Sequence, residues 1–121
     1  MPGYLIDKCK KAGQVSGTSF VEARRIEDYI GTVDVLYMTR IQKERLLDKT
    51  ALEEKFRSIY RLEPEMLKEA KPTMKVMHPL PRVTEIAQSV DSTQYAYYFQ
   101  QARNGLFVRE ALLALILGAV L

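Results

Sequence analysis

The chain has 121 residues, of which 47% are hydrophobic and 27% charged, as expected for one small globular domain. Its 18 lysines and arginines against 15 aspartates and glutamates give a net charge of +3, without the long basic cluster that would indicate a nucleic-acid-binding protein. A single cysteine, Cys9, and a single histidine, His78, exclude an internal disulfide and an ordinary zinc site. We therefore expect no metal and no cofactor, and a reducing compartment such as the cytoplasm.

Neither end of the chain suggests a membrane protein. The opening residues Met1–Tyr4 lack the apolar core of a signal peptide. The closing residues Ala111–Leu121 are apolar throughout, but a spanning helix needs about 20 such residues. We expect this run to be the buried end of a helix, with no membrane contact.

The first thirty residues predict two helices around a weak strand. Tyr4–Ala12 is predicted to be a short helix that ends at Gly13, a residue typical of helix C-caps. Small and β-branched residues in Val15–Phe20 favour a strand. Ser19 then begins a capping-box pattern, which predicts a helix over Val21–Ile30.

Two apolar runs predict buried strands. Val33–Met38 is apolar apart from Asp34, and Met74–Met77 is a second such run, as in strands covered by helices on both faces. Ile59–Leu62 is a candidate for a further short strand. The fold class is therefore α/β, with a partial parallel sheet of about three to four strands flanked by helices. Because five or six strands are usual in a doubly wound sheet, this sheet is expected to be incomplete.

The remaining segments predict helices between and after these strands. Asp48–Ser58 is polar with a helical composition, and Pro64–Ala70 has a proline at its first turn. Glu85–Ala87 is expected to form one helical turn. A broad apolar surface over Thr93–Gly118 predicts a long C-terminal helix, which Asn104–Gly105 is expected to kink or divide.

Polar and charged residues follow the first buried strand directly, over Thr39–Arg45. Ligands of open α/β sheets bind at the carboxyl ends of strands, so this position favours a binding site. Arg40 offers a planar fork suited to a carboxylate or phosphate, Gln42 can donate and accept hydrogen bonds, and Glu44 could orient Arg40. The same residues also fit an ordinary solvated helix start with ion pairs, and the residues alone leave both interpretations open.

The second buried strand is followed by His78–Arg82, a stiff segment with two prolines. Pro79 and Pro81 fix the backbone and lack N–H donors, so the segment presents carbonyl acceptors to a ligand N–H. The Leu80–Pro81 bond is a candidate for a cis peptide. The alternative is a structural loop with a satisfied histidine. The sequence supplies no catalytic triad, no glycine-rich phosphate loop and no paired carboxylates, so we identify no catalytic residue.

Three stretches, in this order and spacing, resemble the aspartate carbamoyltransferase family. They are DVLYMTRIQKER (residues 34–45), MKVMHPLPRVTEI (residues 74–86) and YYFQQARNGLFVREALLALILG (residues 97–118). The related ornithine enzymes carry a cysteine-containing HCLP where this chain has Pro79. The resemblance covers essentially the whole chain and favours the aspartate branch.

The resemblance implies a function and a set of ligand-binding residues. The family transfers the carbamoyl group of carbamoyl phosphate to L-aspartate, an early step of de novo pyrimidine synthesis. Arg40 and Gln42 match residues that bind aspartate, and the backbone carbonyls of Pro79 and Leu80 match those that hold the carbamoyl amide. The matched supporting residues are Lys43, Glu44, Arg45, His78, Pro81 and Arg82.

The resemblance also implies what this chain does not supply. The family's phosphate-binding Ser-Thr-Arg-Thr motif does not occur in the sequence. Residues 1–121 are therefore expected to be the C-terminal part of the aspartate-binding domain, inactive without the carbamoyl-phosphate-binding domain. The family is homotrimeric, with active sites between subunits. The alternative is a non-catalytic binding or regulatory module derived from the same domain.

Overall fold

The computed structural model describes residues 2–40 and 61–119 of the chain. Within them, two short strands alternate with two 3₁₀ helices, and an α-helix stands at each end of this order. The elements in chain order are helix α1 (Gly3–Ser16), strand β1 (Val35–Tyr37), a 3₁₀ helix (Pro64–Glu69), strand β2 (Lys75–Met77), a second 3₁₀ helix (Gln88–Ser92) and helix α2 (Tyr98–Ile116).

The two strands form a parallel sheet, which confirms the predicted α/β class. Val35 pairs with Lys75 and Tyr37 with Met77. The described residues thus hold two strands, fewer than the three or four expected. Leu62, the end of the predicted third strand, forms only an isolated parallel bridge with Ile86. Both strands are shorter than the apolar runs that predicted them, because each run continues into the connections that flank it.

The core lies around β2, the two 3₁₀ helices and the first turn of α2. Its fully enclosed side chains are those of Leu62, Met74, Val76, Val90 and Tyr98, all with zero exposure. Removing apolar surface from water is worth about 1.5–3 kcal/mol for each large side chain. The turn before β1 adds Ile30 to the same cluster. The second half of the chain therefore carries most of the described core, and it carries one of the two candidate segments.

Three predictions for the first thirty residues are wrong. Helix α1 continues through Gly13 to Ser16, and the C-cap in the left-handed region is Gly17, with φ at 70°. The predicted strand over Val15–Phe20 is not formed, since its first residues complete that helix. The predicted helix over Val21–Ile30 is replaced by bends and turns. The capping pattern that begins at Ser19 is a local signal, and it did not suffice to form a helix there.

The second half of the chain follows the predictions more closely. The helix predicted over Pro64–Ala70 is a 3₁₀ helix that spans Pro64–Glu69. Glu85–Ala87 is not a helical turn, since Ile86 pairs with Leu62 and the turn comes later, at Gln88. Helix α2 begins at Tyr98 and runs unbroken past Asn104–Gly105, so the predicted division is wrong. The predicted helix Asp48–Ser58 lies outside the described residues.

Most apolar side chains of α2 are exposed, contrary to the expectation of a buried helix end. Only its first residue, Tyr98, is buried, while Leu113 is 60% and Ile116 79% exposed. Among the described elements, α2 contacts β2. The apolar composition predicted the helix correctly, but no described element covers its second half. No helix within the described ranges is long and apolar enough to cross a membrane.

Candidate functional site

The two candidate segments begin side by side at one edge of the sheet. The Met38 N–H donates to the Met77 carbonyl at 2.8 Å, so the parallel pairing persists to the last residues of both strands. Thr39 and Arg40 come next on one side, and His78 on the other. The prediction that both segments lie at strand carboxyl ends is confirmed for these residues. Gln42, Lys43, Glu44 and Arg45 lie outside the described residues.

The segment after β2 has an unusual backbone at Leu80 and Pro81. The Leu80–Pro81 peptide bond is cis, as predicted, and Leu80 has φ at 51°. A left-handed conformation costs a non-glycine residue on the order of 1 kcal/mol. The Leu80 N–H donates to His78 Nδ1 at 2.9 Å. This hydrogen bond holds the leucine backbone in a conformation that it would otherwise rarely adopt.

His78 is 1% exposed and is paired with a buried carboxylate. Its Nε2 lies 2.8 Å from Oε1 of Glu85, which is 4% exposed. Because Nδ1 accepts the Leu80 N–H, the ring proton sits on Nε2 and is donated to Glu85. The predicted supporting role of His78 therefore has a defined geometry. Glu85 was not singled out from the sequence.

Glu85 Oε2 binds the backbone of the two preceding residues. It accepts hydrogen bonds from the N–H of Val83 at 3.2 Å and of Thr84 at 2.9 Å. Burial by itself raises the pKa of Glu85, but bonds from the backbone of Glu85, Thr84 and Val83 and from the His78 side chain outweigh it and lower the pKa. The carboxylate is therefore held ionised, as an acceptor for all these donors.

Arg82, at the other end of the segment, is bound within the domain. Its guanidinium forms a two-pronged ion pair with Asp91 and donates to the Tyr98 hydroxyl at 3.0 Å. The same hydroxyl donates to Asp91. The guanidinium also lies over the Tyr98 and Phe99 rings, at 5.4 and 5.9 Å from their centroids. Arg82 thus anchors the segment to the start of α2.

The contacts around Arg82 shift the pKa values of its partners. The Arg82 hydrogen bonds hold the pKa of Asp91 below its usual value. Burial, followed by the hydrogen bond to Asp91, raises the pKa of Tyr98 to about 12. All three groups keep their neutral-pH protonation states over a wide range, so this cluster is a structural anchor and not a proton donor or acceptor for chemistry.

Gln101 of α2 connects the two strands at this edge. Its Oε1 accepts the backbone N–H of His78 at 3.0 Å, and its Nε2 donates to the Tyr37 hydroxyl at 3.2 Å. Tyr37 is the last residue of β1 and His78 the first after β2. One side chain therefore joins the end of β1 to the start of the segment after β2, a role that no sequence motif indicated.

The segment Pro79–Pro81 offers acceptors but no available backbone donor. Pro79 and Pro81 have no N–H, and the Leu80 N–H is taken by His78. A ligand group with N–H donors is therefore favoured over an anion at this loop. Arg40, on the adjacent strand end, supplies a cation that favours a carboxylate or phosphate. Among the described residues, no group of histidine, cysteine and carboxylate side chains could hold a metal ion.

Known proteins similar to this chain are carbamoyltransferases. The chain is 49% identical to the aspartate carbamoyltransferase catalytic subunit of Chromobacterium violaceum and 46% identical to catalytic subunit 2 of Shewanella halifaxensis. These comparisons cover 98% and 97% of this chain, but only 37% and 36% of the relatives. The chain thus spans just over a third of the length of these relatives.

Solved structures give the same result. The catalytic subunit of the M. jannaschii aspartate transcarbamoylase matches with a TM-score of 0.81 and 34% identity, over 94% of this chain and 37% of that one. The Trypanosoma cruzi aspartate transcarbamoylase, in complex with carbamoyl phosphate and aspartate, matches with a TM-score of 0.80 and 33% identity, over 93% and 36%. The model of the aspartate/ornithine carbamoyltransferase Asp/Orn-binding domain matches residues 2–116. The chain therefore belongs to the aspartate/ornithine carbamoyltransferase family.

Proposed function

We propose that this chain is the aspartate-binding part of an aspartate carbamoyltransferase. It supplies half of an active site in which carbamoyl phosphate and L-aspartate give N-carbamoyl-L-aspartate and phosphate, a step of cytoplasmic de novo pyrimidine synthesis. Arg40 and Gln42 bind the aspartate, and the carbonyls of Pro79 and Leu80 hold the carbamoyl amide. Lys43, Glu44 and Arg45 support this half-site as part of the same segment.

The observation that carries this proposal is the pairing of the two strand ends. The Met38–Met77 hydrogen bond brings the backbone before Arg40 next to the backbone before His78. A cation for a carboxylate and a row of carbonyls for an amide thus share one edge of the sheet. A reaction that joins an anionic amino acid to a carbamoyl group needs both functions close together.

Hydrogen-bond complementarity supports the assignment of the amide to Pro79 and Leu80. A carbamoyl NH₂ has two donors, and this loop offers acceptors without a free backbone donor between Pro79 and Pro81. A phosphate group is an anion whose oxygens are mostly acceptors at neutral pH, so it would be disfavoured there. The phosphate-binding groups are proposed to come from a carbamoyl-phosphate-binding domain, and the active assembly is proposed to be a homotrimer.

The comparisons support aspartate over ornithine as the amino-acid substrate. The curated relatives are named aspartate carbamoyltransferases, and one T. cruzi neighbour was solved with N-(phosphonacetyl)-L-aspartic acid. The proposal is tested with a chimera in which residues 1–121 replace the matched third of the C. violaceum relative. Arg40→Gln in this chimera should raise the KM for aspartate at least 10-fold, because a charged hydrogen bond is worth about 1.5–3 kcal/mol.

Three results would contradict the proposal. The first is a chimera that folds but makes no carbamoyl-aspartate. The second is a chimera that binds an ornithine-type bisubstrate analogue in calorimetry and gives no heat with the aspartate analogue. The third is turnover by the 121-residue chain alone, which is expected to be inactive without phosphate-binding groups.

A further inference from the structure

We propose that Glu85 is a positioning residue for the carbamoyl-amide site, acting through His78 on the backbone of Leu80. The inference rests on the proposed function, because it assumes that the Pro79 and Leu80 carbonyls hold the carbamoyl amide. Glu85 does not touch the ligand. It fixes which nitrogen of His78 carries the proton, and His78 in turn fixes the Leu80 peptide.

The first step of the argument is the tautomer of His78. A neutral imidazole has one donor nitrogen and one acceptor nitrogen. Leu80 presents an N–H to Nδ1 at 2.9 Å, and Glu85 presents a carboxylate oxygen to Nε2 at 2.8 Å. Only the form with the proton on Nε2 satisfies both contacts. A proton on Nδ1 would face the Leu80 N–H and break that bond.

The second step is the rigidity of Glu85. Its second oxygen accepts two backbone N–H groups, from Val83 and Thr84. The carboxylate therefore cannot turn away from His78 without breaking these two partly buried hydrogen bonds. The lowered pKa of Glu85 agrees with a carboxylate that stays ionised in this position.

The third step is the conformation of Leu80. With φ at 51°, this leucine is in the left-handed region, which side chains other than glycine rarely occupy. The backbone N–H of Leu80 makes its hydrogen bond to His78 Nδ1. Loss of that bond would let the peptide rotate toward the common regions of the backbone map. The carbonyls on either side would then leave the positions that suit an amide.

The first experiment uses the chain itself and the fact that His78 is its sole histidine. Labelling histidine with ¹⁵N gives imidazole signals from this one residue. At neutral pH we expect a proton on Nε2 and none on Nδ1. In Glu85→Gln an amide replaces the carboxylate, so the new NH₂ group must face either His78 Nε2 or the backbone N–H groups of Val83 and Thr84. The tautomer balance of His78 and the hydrogen-exchange rate of the Leu80 amide should therefore both change. A charged ring, or a proton on Nδ1, in the unsubstituted chain would overturn the inference.

The second experiment measures kinetics in the chimera with the C. violaceum relative. His78→Asn keeps an acceptor near the Nδ1 position, whereas His78→Gln keeps a polar group near Nε2 and loses that acceptor. We expect His78→Gln and Glu85→Gln to raise the KM for carbamoyl phosphate about 10-fold, with the aspartate KM within about twofold. His78→Asn should recover most of the effect. Glu69→Gln, an exposed glutamate away from the site, is the matched control.

The outcomes separate this inference from the proposed function. A merely structural role predicts that both histidine variants lose stability and activity alike, so equal losses would refute positioning. Equal rises in both KM values would refute it as well. If the unsubstituted chimera is active and Glu85→Gln behaves like Glu69→Gln, the inference fails alone. If the unsubstituted chimera folds without turnover, the proposed function fails, and the inference fails with it.

Discussion

Replacing Asp91 with asparagine should strongly destabilise the described core. Asp91 accepts two hydrogen bonds from the Arg82 guanidinium and one from the Tyr98 hydroxyl. The substitution keeps the shape of the side chain but removes its charge and turns one acceptor into a donor. That donor must then face either Arg82 or Tyr98. Arg82 lies at the end of the candidate segment and Tyr98 at the start of α2. The loss of these hydrogen bonds therefore loosens both the segment and the helix start.

The size of the effect follows from the burial of the partners. Hydrogen bonds to charged groups are worth about 1.5–3 kcal/mol each when they are buried. Since the side chains of Arg82 and Asp91 are still 18% and 27% exposed, water can replace part of this. We expect a loss of about 2 kcal/mol in the free energy of unfolding, which corresponds to a fall of about 8 °C in the melting temperature.

The chain offers a matched control in Asp34→Asn. Asp34 forms an ion pair with Lys71 at 2.8 Å, but its side chain is 79% exposed. Such surface pairs contribute about 0–1 kcal/mol. Urea unfolding followed by circular dichroism at neutral pH compares the two variants. We expect burial of the Arg82–Asp91–Tyr98 cluster to make the contribution of Asp91 to stability large. This expectation would be refuted if the two variants lost equal amounts of unfolding free energy, or if Asp34→Asn lost more.

Three further predictions concern pH, the Gln101 bridge and α2. The pKa of Tyr98 rises from 10.0 in the unfolded chain to about 12, so the contribution of this residue to stability is complete below pH 10 and is lost between pH 10 and 12. Tyr98→Phe should therefore flatten the pH dependence of the unfolding free energy over that range. An unchanged pH dependence in this variant would contradict the prediction. Gln101→Leu removes the hydrogen bonds to His78 and Tyr37, so it should raise the KM values of both substrates in the chimera at least threefold. The control Gln100→Leu changes an exposed side chain and should leave both KM values unchanged. Equal effects of the two variants would count against the bridging role of Gln101. The exposed apolar side chains of α2 should make the isolated chain self-associate with rising concentration, and Leu113→Gln with Ile116→Gln should reduce this in sedimentation velocity; a monomer at all concentrations would contradict it.

The sequence predicted those parts of the fold that continuous apolar patterns specify. The runs around Val35–Tyr37 and Lys75–Met77 became paired strands. The expectation that both strands are buried holds for Val76 of the second strand, whereas Val35 and Tyr37 of the first are 51% and 50% exposed. The helix predicted over Val21–Ile30 was wrong, because a capping pattern is a weak local signal that packing overrides. Since parallel strands end at the same edge of a sheet, the sequence alone also predicted that the two candidate segments lie at one edge.

The residues that hold the candidate site were not predictable in the same way. Glu85 lies seven residues after His78, and Asp91 lies nine after Arg82. The chain between the partners of each pair is not one continuous helix or strand, so no periodic pattern relates them before the loop is folded. Gln101 lies 64 positions from Tyr37 and 23 from His78, the two residues that it joins. Its polar side chain looks like any other on a helix until the strands are in place.

The candidate loop is stiff because it is fixed at both ends by ionised groups. A strand at this position would be held by a ladder of backbone bonds, but Pro79 and Pro81 cannot donate to one. At the start of the loop, His78 and Glu85 take over this function, and at its end Arg82 does so through Asp91. The backbone N–H groups of His78, Leu80, Val83 and Thr84 are all bound to side chains of this same domain. Acceptor carbonyls are left between two anchored ends, and such an arrangement can be preorganised for an amide without ligand-induced folding.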